Sequence, residues 1–196
     1  MTLDIAWLDE APSTMSVATE LLRTKSPPFA VVAARQTEGQ GSYGRSWQSP
    51  VGNFYATLVL PGQSYSPERF PLTLLTGLAI AHFLEENWAV KATVKWPNDL
   101  LLGGRKLGGI LTQMIGQGEQ SAIVIGVGLN IHQAPDLPGG EHRAVALAEY
   151  NLAPMDSVES WGKELLVHLQ AVLTKAIATG NNAWQKSFDR YGTAVG

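Results

Sequence analysis

Apolar positions change their period along this chain, and the changes divide it into short strands and helices in alternation. Ile5 to Leu8 reads as a strand, and Pro12-Ser13-Thr14 follows as a helix start with apolar positions at Val17, Leu21 and Leu22. Phe29 to Ala34 is an unbroken apolar run behind Pro27-Pro28, the pattern of a strand buried on both faces. Asn53 to Leu60 is rich in β-formers and stops at the turn pair Pro61-Gly62. From Pro67 to Trp88, leucines and alanines at 72, 75, 78, 79 and 83 keep a helical period. Ala92 to Thr112 returns to short β runs with Gly103-Gly104 as a hairpin turn, and Ser121 to Ile131 predicts one more strand. The two prolines and paired glycines between Gln133 and Arg143 predict an exposed loop. Asp156 with Glu159 predicts a capped helix reaching about Ala178, and Asn181 to Tyr191 a last short helix.

These elements predict a single α/β domain over residues 1–196, a mixed central β-sheet flanked by helices, with no repeat and no linker. A chain of 196 residues with 45% apolar residues can bury a sizeable core. Its net charge of −3 offers no cationic field for a nucleic-acid backbone, so DNA is not an expected partner. The absence of cysteine excludes a disulfide framework, a thiolate nucleophile and cysteine-ligated zinc, and a cytoplasmic location is expected. Acids stand where a signal peptide would carry bases, and no apolar run approaches the roughly 20 residues of a membrane span, so no membrane is expected either.

Two stretches carry candidate chemistry. Gly39-Gln40-Gly41-Ser42-Tyr43-Gly44-Arg45-Ser46-Trp47 follows a strong strand. Glycine permits positive φ, and successive N–H groups can form a nest for a carboxylate or phosphate. Arg45 would add a forked cation, and Trp47 a flat surface for a purine. An ordinary flexible hairpin is the alternative, and no Gly-Lys-Ser/Thr or helix follows to make a phosphate-binding P-loop.

The second stretch is Lys95-Trp96-Pro97-Asn98-Asp99, followed by Arg105-Lys106-Leu107-Gly108-Gly109-Ile110. In a hairpin, Lys95, Lys106 and Asp99 can project toward one end of the sheet. Lysine suits that place as a compact charge that follows a phosphoryl group, while an Asn–Asp pair can position a metal or accept a hydrogen bond from an amine. A plain turn beside a solvated lysine is the competing reading. Gly108 and Gly109 argue against it, because paired glycines inside a strand permit close backbone approach.

The order of Ser13-Thr14, Arg35 to Gly39, Gly44 to Trp47, Ser49 to Asn53, Lys95 to Asp99, Arg105 to Leu111 and Gly126 to Asn130 strongly resembles the biotin protein ligase family. The resemblance runs across nearly the whole chain, and Lys95 to Asp99 followed by Lys106-Leu107-Gly108-Gly109-Ile110-Leu111 is its most specific part. It implies the biotin/lipoate ligase catalytic-domain fold and a two-step reaction. The biotin carboxylate attacks the α-phosphorus of ATP to give biotinyl-adenylate and pyrophosphate; a lysine of a biotin carboxyl carrier protein domain then attacks the mixed anhydride. Mg2+ would offset phosphate charge. Carried over by position, Ser13, Thr14 and Gln36 would hold the ureido head of biotin, Gly39 and Gly41 would lend N–H groups to its carboxylate, and Gly109 and Leu111 would line its pocket. Lys106 would bridge carboxylate and α-phosphate, Asp99 would meet the incoming amine, and Asn98 would set that geometry. Trp47 would stack on adenine, and Arg45, Lys95 and Asn130 would serve the nucleotide. Dimerisation is common in the family, so a homodimer is an open expectation.

Two departures stand out. Ser42 and Gln40 occupy loop positions where many family members carry arginine, so a cationic partner for carboxylate and phosphate is missing. The chain also ends at Gly196, where many members continue into a small β-barrel, and leaves no room for a helix-turn-helix before Ile5. The expectation is therefore a catalytic domain without either addition, and without a DNA-binding role. Among rivals, a lipoate or octanoyl ligase would carry an Arg-Arg-x-Ser-Gly-Gly-Gly signature that is absent here. A catalytically silent biotin-binding module is opposed by the retained Lys106 and Asp99.

Overall fold

The structure is a computed structural model that describes residues 3–65, 71–135, 143–179 and 184–193. Its strands are β1 (Asp4–Ala11), β2 (Phe29–Gln36), β3 (Phe54–Pro61), β4 (Thr93–Lys95), β5 (Asp99–Leu102), β6 (Arg105–Ile115), β7 (Ala122–Leu129) and β8 (Gly192–Thr193). They form one sheet in the order β1-β2-β3-β7-β6-β5-β4-β8. The outermost pairs, β1 with β2 and β4 with β8, are parallel, and the pairs between them are antiparallel. The helices are α1 (Thr14–Leu21), α2 (Leu72–Trp88), α3 (Val158–Thr179) and α4 (Trp184–Tyr191).

Strand alternation decides how the sheet is covered. Ala30 and Val32 of β2, Phe54, Ala56, Leu58 and Leu60 of β3, and Ile123, Ile125 and Val127 of β7 point into the core that holds α2 and α3. Phe29, Val31, Val59, Ala122 and Val124 point the other way, onto Met15 and Ala18 of α1. Along that second face β7 runs from Ala122 and Val124 to Gly126 and Gly128, so side-chain bulk disappears toward its end and leaves bare backbone as a floor. The helix predicted from the leucine period is buried almost all round, because α2 packs on the sheet, α3 and α4 together.

Several predicted boundaries shift. The first strand is longer than predicted, and Ala92 to Thr112 resolves into β4, β5 and most of β6. Residues 67–70 of the expected helix, residues 136–142 of the expected loop and residues 181–183 lie outside the described residues. The cap of α3 is Ser157 rather than Asp156: the Ser157 Oγ accepts from the Ser160 N–H at 3.3 Å. Two-residue β8 was not predicted. It is held beside β4 by Glu85, whose carboxylate accepts from Arg190 at 2.8 Å and from the Tyr191 hydroxyl at 2.7 Å. Burial and that carboxylate push the Tyr191 phenol up to about 12.

Candidate active site

The floor consists of two cross-strand pairs on the α1 side of the sheet, Gly109 opposite Gly128 and Leu111 opposite Gly126. A Cβ on Gly128 would stand 2.8 Å from the Trp47 indole, and one on Gly126 would stand 2.8 Å from the Met15 sulfur. A Cβ on Gly109 would meet the indole at 3.2 Å and the Lys106 Cε at 3.7 Å. These glycines are required by close approach rather than by a special φ. They let the ring and the lysine stem lie directly on the backbone.

Lys106 reaches this face through a bulge. In the β5–β6 ladder Leu100 opposes Gly108 but Leu101 opposes Lys106, so Leu107 is an extra residue. Strict alternation from Ile110, which points into the α2 side, would send Lys106 to that same side. The bulge instead turns Leu107 into the core, where it is 1% exposed, and returns Lys106 to the face of Gly109. There its Nζ meets the Asp99 Oδ1 at 2.6 Å and stands 5.4 Å from the centre of the Trp47 ring. Asp99 lies directly opposite Gly109 in the ladder, and Lys95 opposite Asp99 on the next strand, so Lys95 shares this face. The hairpin reading of these three residues agrees with their placement.

The backbone of Lys106 is clamped as well. Its N–H donates to the Arg143 carbonyl and its carbonyl accepts from the Val145 N–H, both at 2.9 Å. Asn130, 1% exposed, donates from Nδ2 to the carbonyls of Lys106 at 3.3 Å and Val145 at 3.2 Å. Its Oδ1 is buried and has no partner among the described residues. Glu149 fixes the same segment: its Oε1 accepts from the Ala146 N–H at 2.9 Å and its Oε2 from Arg105 at 2.8 Å. The backbone N–H first, and then Arg105, hold the Glu149 carboxyl below the usual glutamate range. The residue expected to serve the nucleotide is thus also a tie between β7 and the lysine.

A second polar group lies at the start of α1. The Thr14 N–H and hydroxyl both donate to the Gln36 Oε1, at 2.8 and 3.2 Å, and the Gln36 Nε2 donates to the Ser49 Oγ at 2.9 Å. Ser13 is buried beside them at the helix start, and its hydroxyl does not cap the helix. Thr57 was missed by sequence reasoning. Its hydroxyl, fully buried in β3, donates to the Thr14 hydroxyl at 2.9 Å, and its signal was a polar residue inside the apolar run Phe54 to Leu60. Asn53 was also missed: its Oδ1 accepts from the N–H groups of Ile131, His132 and Gln133 at 2.8, 3.0 and 3.2 Å, and its Nδ2 donates to the Gln133 carbonyl at 2.7 Å. That one side chain shapes the exit of β7.

The loop of residues 39–47 is a small closed hairpin. Trp47 N–H donates to the Gly39 carbonyl at 2.8 Å, and Gly41 N–H donates to the Arg45 carbonyl at 2.7 Å. Of the three loop glycines only Gly44 (71°) has the positive φ that glycine permits, and Tyr43 (59°) shares it; Gly39 and Gly41 do not. Gly39 is needed for another reason: a Cβ would stand 2.4 Å from the Trp47 carbonyl oxygen. The Gly41 N–H is committed inside the hairpin and reaches a ligand only if that bond opens. Arg45 folds back on its own loop, donating from Nε to the Ser42 carbonyl at 3.2 Å, and is exposed. Asn98 donates from Nδ2 to the Ser42 hydroxyl at 2.7 Å.

Among the described residues, no three His, Cys, Asp or Glu side chains converge on a metal position, and no helix is long and apolar enough to cross a membrane. The site offers a paired lysine and carboxylate on a backbone floor, a hydroxyl–amide cluster, and an indole with one face toward the lysine. Such a set suits a small ligand with a polar head and an anionic end.

The model of the biotin/lipoate A/B protein ligase family matches residues 7–130. The chain is 34% identical over 190 residues to a biotin–[acetyl-CoA-carboxylase] ligase of Paracoccus denitrificans, covering 95% of this chain and 75% of that protein. It is 36% identical over 131 residues to the bifunctional ligase/repressor BirA of Bacillus subtilis, covering 65% of this chain but only 40% of that relative's length. A solved biotin protein ligase of Leishmania major in complex with biotinyl-5-AMP superposes with a TM-score of 0.75 at 29% identity, covering 97% of this chain and 81% of that one.

Proposed function

The chain belongs to the biotin/lipoate A/B protein ligase family, and on that premise we propose that it forms biotinyl-5'-adenylate from biotin and ATP and transfers biotin to a lysine of a carrier protein. One observation carries the reading: the β6 bulge brings Lys106 onto Asp99 over the Gly109–Gly128 floor, beside the Thr14–Gln36 cluster. A neutral polar cluster for the head of a ligand, together with a charged pair for its carboxylate, is the combination an adenylating enzyme for a carboxylic acid requires. Thr14, Gln36 and buried Ser13 offer neutral donors and acceptors to a ureido ring.

Adenylation needs positive charge where the carboxylate meets the α-phosphate. Lys106 supplies it, held by Asp99 until substrate arrives. Once the anhydride has formed and Lys106 has turned to it, the Asp99 carboxylate is released to accept a hydrogen bond, and then a proton, from the acceptor amine. Trp47 gives the adenine a flat surface, and Lys95 adds charge on the same face. Mg2+ would accompany ATP as part of the substrate and offset its phosphate charge.

The partner in this reading is a carboxyl carrier domain of a biotin-dependent carboxylase, in keeping with the acetyl-CoA carboxylase in the name of the Paracoccus relative. A cysteine-free chain using ATP belongs in the cytoplasm. A homodimer would form along a sheet edge, and β1 is the longer of the two strands that end the sheet among the described residues. Incubation with ATP, biotin and a carrier domain, followed by intact mass, tests the whole proposal. One biotinyl group on the carrier is expected; an unmodified carrier, with no pyrophosphate released, would refute it.

A further inference from the structure

We propose that Ser42 is a positioning residue that latches the loop of residues 39–47 to the turn carrying Asp99, so that loop closure and the orientation of the acceptor carboxylate are set together. The inference rests on the ligase reading and deepens it. Its basis is the bond from the Asn98 Nδ2 to the Ser42 Oγ, 2.7 Å across 56 positions of sequence.

Each side of that bond is rigid. On the sheet side the Asn98 carbonyl accepts from the Ile110 N–H at 2.9 Å, which fixes Asn98 against β6, and the next residue is Asp99, paired with Lys106. On the loop side the Ser42 carbonyl accepts from both the N–H and the Nε of Arg45, at 3.3 and 3.2 Å. Gln40 bridges Ser46, and the Gly39–Trp47 and Gly41–Arg45 bonds close the hairpin below. Residues 39–47 therefore move as one body, and Ser42 couples that body to Asn98.

The neighbouring backbone shows why a latch is needed. Tyr43 has φ 59°, a conformation unfavourable for a residue with a Cβ, and it is 91% exposed. Its ring packs too little to hold the turn, so polar contacts at Ser42 and Arg45 must do so. Residue type at 42 then has a direct consequence. Serine can accept from the Asn98 Nδ2, whereas an arginine has donors only and could bond Asn98 only at Oδ1, with the amide turned over. The departure from the family pattern at this position is in this structure a gained contact to Asn98 as well as a lost cation.

Hydrogen exchange of the Gly41 and Trp47 amides in the ligand-free chain, followed by NMR, tests the latch. Ser42→Ala should speed both by about five- to tenfold, the loss of one net hydrogen bond, and Ser42→Thr should restore the parent rate. Asn98→Ala should match Ser42→Ala, and the double variant should be no faster than either. With substrates present, Ser42→Ala should slow transfer from preformed adenylate by about fivefold while adenylate formation changes less, and Ser42→Thr should recover it. Unchanged exchange in Ser42→Ala, effects that multiply in the double variant, or failure of threonine to rescue would overturn the latch. A parent chain without biotin-dependent pyrophosphate exchange would overturn the ligase reading and the transfer role with it, while the amide rates would still decide the latch.

Discussion

Replacing Lys106 by methionine keeps a stem over Gly109, where the lysine Cε already lies 3.7 Å from the position of a Cβ, and removes only the charge. Two effects should separate. The first is on stability: Asp99 loses a partner at 2.6 Å, but its side chain is 23% exposed and keeps some water. The loss should sit near the low end for a broken pair, about 1–2 kcal/mol. For a chain of this size that lowers Tm by roughly 2–8 °C. The second is on rate, where removing a preorganised group that meets developing charge costs about 10²–10³. Biotin affinity should change little, since the Thr14–Gln36 cluster is intact. Adding Asp99→Leu should recover most of the lost Tm, because no unpaired carboxylate remains, while adenylate formation stays lost. Biotin-dependent pyrophosphate exchange, calorimetric biotin titration and thermal unfolding give the three readouts. An exchange rate for Lys106→Met within a few-fold of the parent would refute the assignment of Lys106, however large the change in Tm.

Gly128→Ala should lift the Trp47 indole off the floor, since the new Cβ would stand 2.8 Å from its Cε2 and Nε1. Iodide should then quench more of the tryptophan emission, and the difference should vanish in a Trp47→Phe background. Asn53→Ala removes the acceptor shared by Ile131, His132 and Gln133, so urea unfolding should show a loss of about 2–4 kcal/mol. His168 is held below its ordinary value of 6.5, first by burial and then by His82. As pH falls below 6.5 the unfolded chain takes up the proton before the folded one, so stability is full above that value and declines toward the lower folded value. In His168→Leu the fall of Tm across this window should be shallower than in the parent; parallel curves would mean that other groups set it.

The local pattern of the chain determined much of this protein. Continuous apolar and β-former-rich runs placed β2, β3 and β7, the leucine period placed α2, and Lys95 to Asp99 with Lys106 to Leu111 marked the candidate site, because strand and helix patterns are written in adjacent residues. Tertiary structure decided what depends on partners far apart in sequence. Alternation alone puts Lys106 on the wrong face, and only the register of β5 against β6 reveals the bulge that brings it to Asp99. Thr57, Asn53 and Ser49 acquire roles only when β3 and the loop before it meet α1, Gln36 and the end of β7. The glycines look alike in sequence, yet Gly39 is needed against a carbonyl 2.4 Å away, Gly44 for its positive φ, and Gly128 to seat an indole. A residue's period is fixed by its neighbours in the chain, but the use of a missing Cβ or a spare hydroxyl is fixed by whatever the fold packs against it.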